Sequence, residues 1–209
     1  MKKLVWLLVV ACSGGTTATS ASSVTGSDLP PEEVAEDVAA ALDGGDPVVV
    51  AGLTDLRPMA WVAMAEGATV EEAAGIEEGD RAIAVARNFW TGFLETAGLA
   101  GNEVANIEAF TEGATDFARL DLPSGSIVLN QRDAWRIDVI ASFGAPLAER
   151  LLSAVEVVVA NRSPEADVLQ EMLQDERDAV AVAIADPSIT TSARAAVEEV
   201  LAAIDSIED

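Results

Sequence analysis

Asp121, Asp133 and Asp138 fall in a stretch of alternating polar and apolar residues, with Arg119 and Arg136 each two positions from one of them. A carboxylate held on a strand beside a pocket can serve as a general base when a second group holds or relays the proton. The side chains that most often do so are missing, because the chain has no His and no Tyr. A Ser-His-Asp triad, a His-ligated zinc site and a tyrosine general acid are therefore excluded. With only Arg left as a partner, Arg119 with Asp121 and Arg136 with Asp138 read more economically as cross-strand ion pairs on a solvated face. Glu77-Glu78-Gly79-Asp80 gathers hard oxygen ligands of the kind calcium takes. It lacks EF-hand spacing, however, and acids just ahead of a helix are expected from the helix dipole alone. Asn161-Arg162-Ser163 has the form of a glycosylation sequon, which the following Pro164 and the N-terminal segment argue against. Trp61, Trp90 and Phe93 are the aromatics expected at the mouth of a pocket. In a chain with 4 Trp and 5 Phe they are more economically the largest fillers of the core. No catalytic, cofactor-binding or metal-binding residue is expected.

The 209 residues carry 12 Lys+Arg against 36 Asp+Glu, a formal net charge of −24. This balance argues against binding nucleic acid, which needs basic patches to displace counterions. A single cysteine, Cys12, excludes an intramolecular disulfide and a Cys-rich metal site.

The N-terminus reads as an address. Met1-Lys2-Lys3 is basic, and Leu4 to Ala11 is an unbroken apolar run. That run is too short to span a bilayer, which takes about 20 residues, but it suits a secretory signal peptide. Val9-Val10-Ala11-Cys12 resembles the lipobox of bacterial lipoproteins. The resemblance implies cleavage before Cys12, a diacylglycerol on its thiol and commonly a further acyl chain on the new amino group. It also implies that Cys12 is the lipidation site, with the bilayer as a partner, and a location in the cell envelope outside the cytoplasmic membrane. An outer membrane is a possible destination, since Ser13 stands where inner-membrane retention would place Asp. Each buried CH₂ of such chains contributes about 0.8 kcal/mol, so several chains on one residue anchor stably. Removing residues 1–11 takes away both lysines and moves the net charge from −24 to −26. Attachment must then rest on acyl chains rather than on charge. The acids are spread through the whole chain, which favours a hydrated, salt-tolerant surface over a steering face for a cationic ligand.

Four segments are expected: a signal peptide over 1–11, the lipidated Cys and a flexible Ser/Thr/Gly-rich tether over 12–29, an α+β domain over 30–145, and C-terminal helices over 146–209 packing on or extending it. Pro30-Pro31 opens a helix that Gly44-Gly45 ends. Short helices are expected around 58–66 and 69–74, then a longer one over 80–97 with Ile83, Ala86, Trp90, Phe93 and Ala97 on one face. Residues 104–110, 115–122, 125–130 and 135–142 read as four strands, joined by turns at 123–125 and 130–134. Helices follow over 147–160, 163–185 and 191–206.

The fold class is therefore α+β, with N-terminal helices against a curved antiparallel sheet of about four strands. A helix ending in Gly44-Gly45-Asp46 and a hairpin closing in Trp135-Arg136-Ile137-Asp138-Val139 resemble the nuclear-transport-factor-two-like, or cystatin-like, superfamily. That resemblance implies a cone of helices over the sheet. The sequence thus predicts a membrane-anchored envelope lipoprotein with a non-enzymatic domain that binds a protein or small ligand. Two alternatives stand beside it: a superfamily enzyme with an Asp base acting on a small hydrophobic substrate, and a structural or assembly role for the C-terminal helices.

Overall fold

The computed structural model describes residues 29–76, 79–97, 103–123 and 125–207. Cys12 and residues 1–28 lie outside the described residues, as do Glu77 and Glu78. The architecture is α+β, as the pattern of the chain implies. Among the described residues five helices precede a four-stranded antiparallel sheet in the order β1-β2-β3-β4, and four helices follow.

Helix α1 (Pro31–Gly44) has Pro at its first position and Glu32 and Glu33 in its first turn, and it ends on Gly45 at φ 61°. Its buried stripe is Val34, Ala35, Val38, Ala41 and Leu42. Helix α2 (Pro47–Gly52) was not expected. Asp46 caps it by accepting from Val48 N at 2.9 Å, so Pro47 and Gly52 are the two ends of one short helix rather than two breakers. In α3 (Met59–Ala65) every residue is buried. In α4 (Val70–Ala74), Thr69 and Glu72 form a reciprocal capping box. Helix α5 (Asp80–Ala97) buries Ala82, Ala86, Phe89 and Trp90, while Ile83 is exposed. The expected face therefore holds at Ala86, Trp90 and the half-buried Phe93, and Ala82 rather than Ile83 begins it.

Strands β1 (Asn106–Glu112), β2 (Thr115–Leu122) and β3 (Gly125–Gln131) match the alternating segments closely. Asn130 is paired within β3 and buried, so the turn that follows is 132–134 only. The expected strand over 135–142 is corrected. Strand β4 is Trp135–Ile137, and Asp138 is the N-cap of α6 (Val139–Ala160), its carboxylate accepting from Ala141 N at 2.8 Å. The chain therefore turns helical at 139 instead of after Gly144-Ala145-Pro146, and Pro146 sits inside the helix. The boundary drawn between 145 and 146 falls within α6.

The expected helix over 163–185 is two helices, α7 (Pro164–Gln174) and α8 (Arg177–Ile184), broken at Asp175-Glu176; α9 (Thr191–Ile207) follows. These helices turn Leu169, Leu173, Val180, Val197, Val200 and Ile204 into the same core as the sheet.

Helix α8 approaches α6 closely because Gly144 has no side chain. A Cβ there would lie 2.6 Å from the Cβ of Ala183. Gly144→Ala gains helix propensity of about 1 kcal/mol, but overpacking of this kind costs about 1–3 kcal/mol. We expect a net loss in urea unfolding, and a double-mutant cycle with Ala183→Gly that shows favourable coupling. Simple additivity of the two substitutions would contradict this account.

Candidate functional site

Five charged or amide side chains converge beneath the β3–β4 turn. Asp55 follows α2, Asn130 is the last residue but one of β3, Arg132 is in the turn, Asp138 caps α6, and Glu176 sits at the α7–α8 break. Asp55, Asn130, Asp138 and Glu176 are all buried. Asn130 Nδ2 donates to Asp55 Oδ2 and to Asp138 Oδ2, both at 2.8 Å. Arg132 meets Glu176 in a two-pronged pair, Nη1 to Oε1 at 3.0 Å and Nη2 to Oε2 at 3.1 Å. Its Nη2 also donates to the carbonyl of Asp175 at 2.6 Å. At the rim, Arg57 pairs with exposed Asp133, and its backbone N donates to Asp55 Oδ1 at 3.1 Å.

Three buried carboxylates therefore lie near one partly buried guanidinium, with Glu176 in direct contact, while Arg57 Nε also approaches Asp55 Oδ1 at 3.9 Å. Burial pushes the Glu176 carboxyl up to about 8, reinforced by the negative charge of Asp138 and opposed by Arg132. Burial also raises Asp138, against the bonds from Ala141 and Asn130 that favour its charged form. Burial disfavours the charge on Arg132, but the carboxylates around it, Glu176 first, more than compensate and hold it above its ordinary range.

A cleft of about 340 Å³ opens beside this cluster, lined by Arg57, Ile76, Met172, Asp175 and Glu176. Both oxygens of Glu176 are taken by Arg132, and those of Asp138 by Ala141 N and Asn130 Nδ2. The geometry is that of a tie between sheet, α6 and the C-terminal helices. Among the described residues no group of three carboxylates is placed to hold a metal ion.

The remaining sequence candidates are scattered. Asp121 accepts from Asn106 Nδ2 at 3.2 Å across the β1–β2 pair. Arg119 lies 5.4 Å over the Phe110 ring, and Arg136 donates to the carbonyl of Gly52 at 3.1 Å. The expected pairing of Arg136 with Asp138 on a wet face is corrected, because Asp138 is fully buried and turned inward as a cap. Asn161 and Ser163 hold the α6–α7 junction: Asn161 Oδ1 accepts from Ser163 N at 3.0 Å, and Ser163 Oγ accepts from Ala166 N at 3.3 Å.

Trp61 and Trp90 are fully buried, so they fill the core. Trp90 Nε1 donates to Thr54 Oγ1 at 2.8 Å, while Trp61 Nε1 has no partner among the described residues. Phe93, half-buried, packs 4.3 Å from Phe143 and lines a hollow of about 400 Å³ with Ser126 and Thr190.

A wider concavity lies elsewhere. A groove of about 810 Å³ runs between α1 and residues 103–107 at the start of β1. Glu32, Glu36 and Asp43 line it from α1, and Glu103 from the opposite wall. Its floor is small and apolar, with Ala35, Ala39, Val104 and Ile107. Sequence reasoning missed both places. Acids at 32 and 36 look like ordinary helix-start residues, and Glu176 lies in an acid-rich run that reads as solvated.

The fold and these two places define an α+β protein with a buried ionic tie and an open acidic groove. Comparison with protein-family models, curated proteins and solved structures finds no match to this chain.

Proposed function

We propose that this chain is a lipid-anchored protein of the bacterial envelope whose α+β domain binds a partner. Cys12 carries the anchor, residues 13–29 form the tether, and the domain beginning at α1 presents the binding face. The observation that carries the binding reading is the contrast between the two polar places. The buried carboxylates are spent on internal bonds, whereas Glu32, Glu36 and Glu103 line an open groove.

An Asp-base enzyme needs a carboxylate oxygen left over to meet substrate, and Asp138 and Glu176 have both oxygens occupied. An assembly role for the C-terminal helices needs a broad exposed apolar face. In the described part of that region the large exposed apolar side chains are Val157, Val159 and Val168, and the stripes of α7, α8 and α9 face the core.

Labelling of producing cells with radioactive palmitate tests the anchor. The unaltered chain is expected to carry label and to sediment with membranes, and Cys12→Ser is expected to lose both. Label persisting on the Cys12→Ser chain would overturn the assignment.

A further inference from the structure

Taking the anchored binding protein as given, we infer that the groove between α1 and β1 receives an extended, Lys/Arg-bearing segment of another protein, which adds as a strand to the free edge of β1. The sheet has two edges, and they are treated differently. On the β4 side, residues 53–55 already bond to the edge: Ile137 N donates to Leu53 O at 2.8 Å and Asp55 N to Ile137 O at 2.9 Å. On the other side β1 pairs only with β2, and no further strand lies beyond it among the described residues. Alternate residues of an antiparallel edge strand turn their N–H and C=O groups outward. The partner that satisfies them in register is another extended chain.

Charge then specifies what kind of chain. Glu32 and Glu36 stand one helical turn apart on one wall, with Glu103 on the other. None of the three makes a side-chain hydrogen bond or ion pair among the described residues. All the arginines of the chain lie among the described residues, and none lines the groove. The only lysines, Lys2 and Lys3, leave with the signal peptide on the anchored reading. The countercharge must therefore come from another molecule. The small floor at Ala35 and Ala39 leaves room for a backbone and for modest apolar side chains between the cationic ones. From Glu32 to Asp43 the helix rises about 16 Å, which is the length of roughly five residues of extended chain.

The probe is a fluorescein-labelled ten-residue peptide of alternating Arg and Val, titrated in low salt against the full chain in detergent. Neutralising the groove with Glu32→Gln, Glu36→Gln and Glu103→Gln is expected to weaken binding at least ten-fold. The control triple Glu156→Gln, Glu198→Gln and Glu199→Gln, exposed on α6 and α9, makes the same change in net charge and is expected to shift binding less than two-fold. N-methylating alternate amides of the peptide is expected to cost a further ten-fold, since it removes strand pairing and leaves the charge. Three results would overturn the inference: no binding of the unmodified peptide, equal losses in the two triple variants, or equal binding of the N-methylated peptide. Self-association of the groove variant with peptide affinity retained would also overturn it, marking the acids as guards of the edge. None of these readouts depends on Cys12, so they fail or succeed independently of the palmitate result.

Discussion

Arg132→Met is expected to destabilise the fold by roughly 3–5 kcal/mol at pH 8, the cost of stripping the cation from a buried ionic group. For a domain of this size that corresponds to a fall in Tm on the order of 10 °C. Three buried carboxylates, Asp55, Asp138 and Glu176, lie in the field of this guanidinium, and of the three only Asp55 has a second one, Arg57, within 4 Å among the described residues. Removing Arg132 strands Glu176 with no donor for either oxygen. At pH 5 the same substitution is expected to cost less, because Glu176 is then protonated with or without Arg132 and leaves no unpaired buried charge. The double variant Arg132→Met with Glu176→Met is expected to recover most of the loss, since an apolar pair of similar volume replaces the ionic one. Arg136→Met, whose side chain is exposed, serves as the control and should stay within about 0.5 kcal/mol. Urea unfolding of the four chains checks the set. An Arg132→Met chain within 1 kcal/mol of the unaltered one would mean that water, not protein, surrounds the pair.

Why this tie could not be seen in the sequence follows from where its members lie. Glu176 comes from Asp175-Glu176-Arg177-Asp178, where local composition says solvent. It is buried because α7 and α8 break there and fold back onto the β3–β4 turn, which reading 163–185 as one helix conceals. Asp138 had a local signal that the alternation masked. Trp135, Ile137, Val139 and Ala141 keep strand period across the point where Asp138 caps a helix. Strands β2 and β3 are legible from their apolar residues and the turns that bound them, although both faces are largely covered: Phe117, Ala118 and Leu120 are buried in β2, and Ile127, Val128, Leu129 and Asn130 in β3. On α5 the face through Ala86, Trp90 and Phe93 is legible but its start is not, since Ile83 and Ala82 both satisfy a helical period and only packing chooses the smaller residue. The groove was illegible for a related reason. An acid at a helix start is expected from the dipole whether or not a second wall faces it, and that wall is supplied by residues some seventy positions further on.

The second large effect is a dependence of stability on pH with an unusual sign. Glu176 is pushed up to about 8 in the folded chain from an ordinary value of 4.5, and Asp138 is shifted in the same direction. Between those two values the folded state holds a proton that the unfolded state has released. Stability therefore falls as pH rises across the window, the opposite of a salt-bridged carboxylate with a lowered value. At 1.36 kcal/mol per unit the limit is about 5 kcal/mol. The realised fall is smaller because Glu176, Asp138 and Arg132 titrate as one coupled group. The composition makes the test clean. Ordinary carboxylates are ionised by about pH 6 and the chain has no His, so apart from Glu66, whose carboxyl burial also raises, little else in it changes charge between pH 6 and 8. The urea midpoint is expected to drop steadily over that range. Glu176→Gln keeps an oxygen to accept from Arg132 and removes the proton, so its midpoint should be nearly flat. An unaltered chain whose midpoint holds level or rises from pH 6 to 8 would show that Glu176 is charged in the fold, with Arg132 sufficient to keep it so.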